Sequence, residues 1–211
     1  MKSFFKTTGM FFLLIYSLTT YSQYKNGDVI RTGDFFFLKN QPKIRVEYVW
    51  DSLSIAAYHP KGDDVQTEEQ YIQKNMQERS KNPEAGKKWL EKWQGNKKKL
   101  YEPAFELGMN NRAEKQIPTT FSSSYHDTQY TLILKTTYIE AEKLGYIYVT
   151  CLFVDSRDHS KVIAKVTIDR LYDDMPARTM PERLEQSYYD AGIVLVKDII
   201  YFNKENSSKK K

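Results

Sequence analysis

Residues 130–155 read YTLILKTTYIEAEKLGYIYVTCLFVD. Two runs rich in β-branched and aromatic residues, Tyr130 to Glu140 and Tyr146 to Asp155, flank a short charged connection, a pattern that predicts a β-hairpin. A third run, Lys161 to Tyr172, follows across the turn-forming segment Ser156 to Ser160. Within it Val162, Ala164, Val166 and Ile168 alternate onto one side. Simple hairpin registers continue that side as Leu152 and Val154, then as Leu132 and Leu134, so one core face should cross three strands.

A helix should follow these strands. Thr179 stands at the N-cap position, Pro181 in the first turn and Glu182 where a capping box places its carboxylate. Leu184, Tyr188, Ala191, Leu195 and Phe202 then recur at helical spacing. Strand, strand, strand and returning helix define an α+β domain with a mainly antiparallel sheet of four to five strands and the helix packed on one face.

Upstream, KIRVEYVW alternates Ile44, Val46, Tyr48 and Trp50 against Lys43, Arg45 and Glu47, the signature of a half-buried strand. The Phe35 to Phe37 run before it is an edge strand or a plug over the core, and DSLSIAAY after it continues the strand or bends away. Thr67-Glu68-Glu69-Gln70 matches a capping box and opens a helix that runs to about Ser80. Asn82-Pro83 starts a second helix bearing Trp89, Trp93 and Leu100 on one face, which Pro103 should break before a further short helical piece.

The opposite face of the three strands would carry Ile133, Ile139, Val149, Cys151, Phe153 and Ile163, interrupted by Lys135, Lys165 and Asp169. So apolar a face needs a cover. The helices of residues 67–111 are expected to supply it, burying Trp89 and Trp93 in a third layer.

The chain begins MKSFFKTTGMFFLLIYSLTTYSQ, with Lys2 and Lys6 ahead of the apolar run Met10 to Leu18. That pattern predicts a secretory signal peptide over residues 1–22 with cleavage near Ser22, since the run is about half the roughly 20 residues a bilayer requires. The expected location is the periplasm or the extracellular space, with one domain over residues 23–203 and a basic tail over 204–211. The single cysteine, Cys151, excludes an internal disulfide and lies far from any lipoprotein acylation position. The formal charge of +5 is unevenly placed. Lys2 and Lys6 leave with the signal peptide, the tail bears four lysines against Glu205, and the body between them is formally neutral, which removes the argument for nucleic acid.

The chemical motifs are sparse. His59, His126 and His159 fall in predicted loops without a zinc-binding spacing, and Asp155, Asp158 and His159 read as turn chemistry, so no metal or cofactor is expected. A simple register places Lys135 across from Cys151, which would make that thiol more reactive, yet its mid-strand position favours an inert packed side chain. Neither a nucleophile elbow nor a glycine-rich phosphate loop occurs. The lysine-tryptophan run GKKWLEKWQGNKKK places most lysines opposite the tryptophans, as a solvated face over a buried stripe does. Tyr138 and Tyr148 share a sheet face near the first hairpin's connection, where rings could stack on a sugar or peptide.

The block TLILKTTYIE, the run Tyr146 to Asp155 and the segment ERLEQSYYDAGIVLVKDI resemble uncharacterised secreted proteins of Bacteroidota. The strand-strand-helix order is distantly similar to small envelope domains such as the TolB amino-terminal domain. The resemblance covers about the last 75 residues and implies action by protein contact, with no catalytic residues. The expected function is therefore that of an exported, non-enzymatic envelope protein that binds a protein partner. Its contact residues would be Tyr138, Glu140, Glu142, Lys143 and Tyr148, about the Glu140 to Gly145 connection. An envelope hydrolase with an unidentified site, and a glycan-binding module using Tyr138 and Tyr148, are the alternatives.

Overall fold

The computed structural model describes residues 29–56, 65–114, 116–142, 144–170 and 178–208. The expected signal peptide, His59 and its loop, Lys143, Asp173-Asp174 and the terminal lysines lie outside these residues.

The central hairpin forms as expected, from β6 (Tyr130–Glu140) and β7 (Ile147–Asp155), and β8 (Asp158–Arg170) continues it antiparallel. Among the described residues, however, the sheet has eight strands rather than four to five, with the main order β1-β8-β7-β6-β2-β5. Its outer members are β1 (Val29–Gly33), β2 (Lys43–Val49) and β5 (Thr120–Ser122), with β3 (Ser54–Ala56) and β4 (Gln66–Thr67) off the main path. Three of the additional pairings are parallel: β2 lies along Thr131 to Lys135 of β6 and carries β5 on its other side, and the third joins β3 to β6. DSLSIAAY bends away after Trp50 and returns as β3, which pairs in parallel with Tyr138 to Glu140 of the same β6 edge. Ser52, with φ of 62°, makes that bend.

The core face differs from the simple register by one residue. Val154 pairs with Val162, but a bulge follows, and Phe153 then pairs with Ala164, Cys151 with Val166 and Val149 with Ile168. Since strand side chains alternate, this slip moves Val149, Cys151 and Phe153 onto the core side and Leu152 off it. Leu132 and Leu134 remain core residues, facing Phe153 and Cys151 across the hairpin. Lys135 pairs with Thr150, not with Cys151.

The helices are α1 (Glu68–Glu78), α2 (Pro83–Asn96), α3 (Glu102–Ala113) and α4 (Met180–Ser208). Local capping is as read: Thr67 and Gln70 form the reciprocal box, Asn82 Oδ1 accepts from Ala85 N at 3.1 Å, and Glu182 accepts from Thr179 N at 2.7 Å. Pro103 does not break the second helix. It sits in the first turn of α3, and the preceding turn, Lys97–Tyr101, widens to π-helical spacing. A wider turn relieves the contact between a proline ring and the carbonyl four residues earlier.

Helices α3 and α4 cross closely and cover the core face together. Tyr188 of α4 shares a 2.9 Å hydrogen bond with Thr136 of β6, while Tyr48 of β2 donates to the Glu102 carbonyl of α3 at 2.8 Å. Phe35 and the following 3-10 turn, Phe36–Asn40, plug the far end: Phe35 is fully buried, edge-on to Phe153 and Phe202. The helices of residues 67–111 therefore lie on the same side as α4, and among the described residues the expected third layer does not form. Leu184, Tyr188, Ala191 and Leu195 are buried against the sheet as their spacing requires.

Candidate functional site

The 140–145 connection is organised from within. Glu140 is fully buried and its carboxylate accepts from the backbone N–H groups of Glu142 (2.9 Å), Leu144 and Gly145 (2.8 Å). Three amides converging on one carboxylate form the kind of concavity that elsewhere binds an anion, here filled by the chain's own side chain. Ser187 Oγ donates to the Gly145 carbonyl at 2.7 Å, seating the connection on the first turns of α4. Gly145 has φ of +68°, and a Cβ there would stand 2.7 Å from Arg183 Cβ. Glu140 is thus an internal scaffold group; Glu142 alone of the described charged residues in the connection points outward.

Tyr138 and Tyr148 pair directly across the hairpin, as their shared face requires. Tyr138 is only 6% exposed, packed edge-on against Tyr146 with ring centroids 5.7 Å apart. Burial, with Glu140 nearby, pushes its phenol up to about 12. A stacking platform needs a ring face in solvent, and Tyr138 does not present one. Cys151 is fully buried among Leu134, Val166 and their neighbours, and burial pushes its thiol well above the ordinary range.

The hairpin turn bonds itself. Asp155 accepts from Arg157 N at 2.9 Å and Asp158 from Ser160 N at 3.0 Å, while His159 Nδ1 stands 3.9 Å from Glu47. Among the described residues no three metal-ligating side chains gather. Trp93 is buried, stacked on Trp89 at 6.2 Å, and Lys87, Lys88, Lys92, Lys98 and Lys99 are exposed, as the wheel pattern implies.

A chain of polar and aromatic contacts at the β2–β3 bend was not legible in the sequence. Glu68 accepts from Trp93 Nε1 at 2.7 Å and pairs with Lys97 at 2.6 Å; Lys97 lies 4.9 Å over the Trp50 ring. Trp50 Nε1 donates to Glu102 at 3.2 Å, and Tyr48 OH donates to Glu106 at 3.0 Å. Burial raises the Glu102 carboxyl, with the Trp50 N–H pulling the other way. These groups fasten α1 to α3 onto the sheet edge. The one sequence signal was the spacing of Glu102 and Glu106, four apart on one helix face.

What remains accessible is the second face of the sheet. It presents Ile30, Ile133, Leu152 and Ile163 with Lys135, Thr150 and Lys165, all half-buried or exposed, and Ile30 is 51% exposed. They are neighbours by register: Ile133 faces Leu152, Leu152 faces Lys165, and Thr150 lies between Lys135 and Thr167. At one end a polar hollow of about 590 Å³ is lined by Arg45, Asp127, Gln129, Asp155, Ser156 and Arg157. No helix among the described residues is long and apolar enough to cross a membrane.

No family model matches the chain, and no curated protein matches it. Among solved structures it is similar to a PelC dodecamer from Paraburkholderia phytofirmans, at 11% identity over 79% of this chain and 95% of that one, with a TM-score of 0.37. It is also similar to a Xanthomonas campestris protein of the family model DUF330, at 12% identity over 79% and 87% of the two chains, with a TM-score of 0.37. At these scores the likeness carries no weight for function, which rests on this chain's own residues.

Proposed function

We propose that this is an exported, non-enzymatic envelope protein of the periplasm or outer membrane, related to secreted proteins of Bacteroidota, that binds a protein partner across the second face of its sheet. The observation that supports this reading is the one-sided placement of the helices. An apolar patch of isoleucine and leucine flanked by Arg45, Lys135 and Lys165 stays at the surface, and such patches mark contact sites. The fitting partner is a protein surface with an apolar centre and carboxylates at its rim. The Glu140 to Gly145 connection takes the lesser part, since Glu140 is committed to its own backbone.

The test places a photo-crosslinking amino acid at Leu152 in cells that make the protein. The expected result is a discrete adduct with one envelope protein, abolished by Ile133→Glu on the facing strand. Adducts that form equally well with Ile133→Glu, or none at Leu152 while a probe at Leu107, exposed on α3, captures a protein, would move the contact off this patch.

A further inference from the structure

Helices α3 and α4 touch backbone to backbone, Gly108 against the Tyr189 carbonyl and Gly192 against the Phe105 carbonyl. Ahead of that crossing in the chain direction of both helices lies a groove of about 600 Å³. Leu100 of the π-helical turn, with Pro103 and Leu107 of α3, makes one wall apolar; Glu182 and Glu185 line it from α4, and Lys99 and Arg178 complete the charged lining. Leu107 is 55% exposed, the most open large apolar side chain among the described residues, because α3 turns Phe105 and Met109 into the core instead. Arg178 donates to Gln186 Oε1 at 3.2 Å, and Glu182 caps Thr179 through Oε2. Glu185 is half-buried and makes no hydrogen bond or ion pair among the described residues.

We propose that this groove binds a short segment of a partner protein in which an apolar side chain stands beside a lysine or arginine. The apolar group would rest on Leu100, Pro103 and Leu107, and the cation would pair with Glu185. An apolar wall facing an unpaired carboxylate selects that chemistry, since burial of the apolar group brings the cation within reach of a charge that has no partner of its own. An anionic membrane or a nucleic acid would meet Glu182 and Glu185 as like charges. The volume is that of a site enclosing a few side chains, which suits an inserted segment rather than the broad self-complementary face of a dimer. The proposal uses no residue of the sheet-face contact, so the two stand or fall separately.

The test uses two short synthetic peptides with blocked ends, in which leucines recur at every third or fourth position among lysines in one and among glutamates in the other. Fluorescence anisotropy reads their binding to the protein, purified from cells that make it, and amide chemical shifts locate it. The lysine peptide is expected to bind on the order of tenfold or more tighter than the glutamate peptide, with shifts centred on Leu107 and Glu185. Leu107→Ser should weaken it on the order of tenfold, because the apolar area that binding would bury is gone. Glu185→Lys should reverse the preference between the peptides. Equal binding of both peptides, binding of neither, shifts centred elsewhere, or a preference that Glu185→Lys leaves unchanged would overturn the proposal. So would dimerisation of the free protein that Leu107→Ser abolishes, which would give the groove to a second copy. The comparison of the two peptides needs no variant, so its result stands whether or not either variant folds.

Discussion

The crossing of α3 and α4 makes a sharp prediction, because backbone meets backbone there. A Cβ added at Gly192 would lie 2.3 Å from the Phe105 carbonyl oxygen and 2.8 Å from Met109 N. Ordinary contact begins about 1 Å further out, and neither obstacle is a side chain that can swing aside. Gly192→Ala must therefore push the two helices apart. Overpacking of this kind costs about 1–3 kcal/mol, offset by about 0.5–1 kcal/mol of improved helix propensity. The expected net loss is about 1 kcal/mol, with a fall of about 2–4 °C in Tm. Gly95→Ala is the matched control: its nearest neighbours are Lys99 side-chain carbons at 4.0 Å, so only the propensity gain remains. It should stabilise by about 0.5–1 kcal/mol. Urea unfolding followed by tryptophan fluorescence measures both. Midpoints that move in the same direction for the two variants would refute the close crossing.

Glu140→Gln keeps the side chain's shape but turns an NH₂ group toward at least one amide that the carboxylate now accepts from. The expected loss is about 2 kcal/mol, with faster hydrogen exchange at Leu144 and Gly145; unchanged protection there would contradict the internal role. Asp198 accepts from Arg31 at 3.0 Å, yet burial is the larger influence and raises its carboxyl. A raised folded-state value means that its contribution is fully present below the unfolded value of about 3.9 and is lost as pH rises through the folded one. Stability of the wild type relative to Asp198→Asn should therefore fall with increasing pH across that window. A difference that grows with pH in urea titrations would show that Arg31 outweighs burial.

Much of the fold was written in short-range patterns. Two-residue alternation marked β2, β6, β7 and β8, and the stop and start signals at Thr67, Asn82 and Thr179 each satisfy local backbone groups within three residues. The candidate site was less legible. Glu140 sits in a charged connection and reads as a surface group, whereas only the folded chain shows its carboxylate turned inward onto three amides. Cys151 and Lys135 were placed together by a simple β6–β7 register that a bulge between Thr136 and Tyr138 undoes. No residue type in KTTY announces that bulge.

The sequence by itself determined that residues 130–170 form a three-stranded antiparallel unit, that α4 buries the Leu184, Tyr188, Ala191 and Leu195 stripe, and that Trp93 is structural. These follow from periodicity and capping, which act over a few residues. The tertiary structure alone decided which sheet face became the core and where the helices went. Alternation divides a strand into two sides without saying which is inside, and both sides here are partly apolar. The choice was made by contacts far apart in the chain: the parallel pairing of β2 with β6, the bulge in β7, and the approach of Gly108 and Gly192 that sets α3 beside α4 on one face. The other face, with Ile133 and Leu152, was left at the surface as a result.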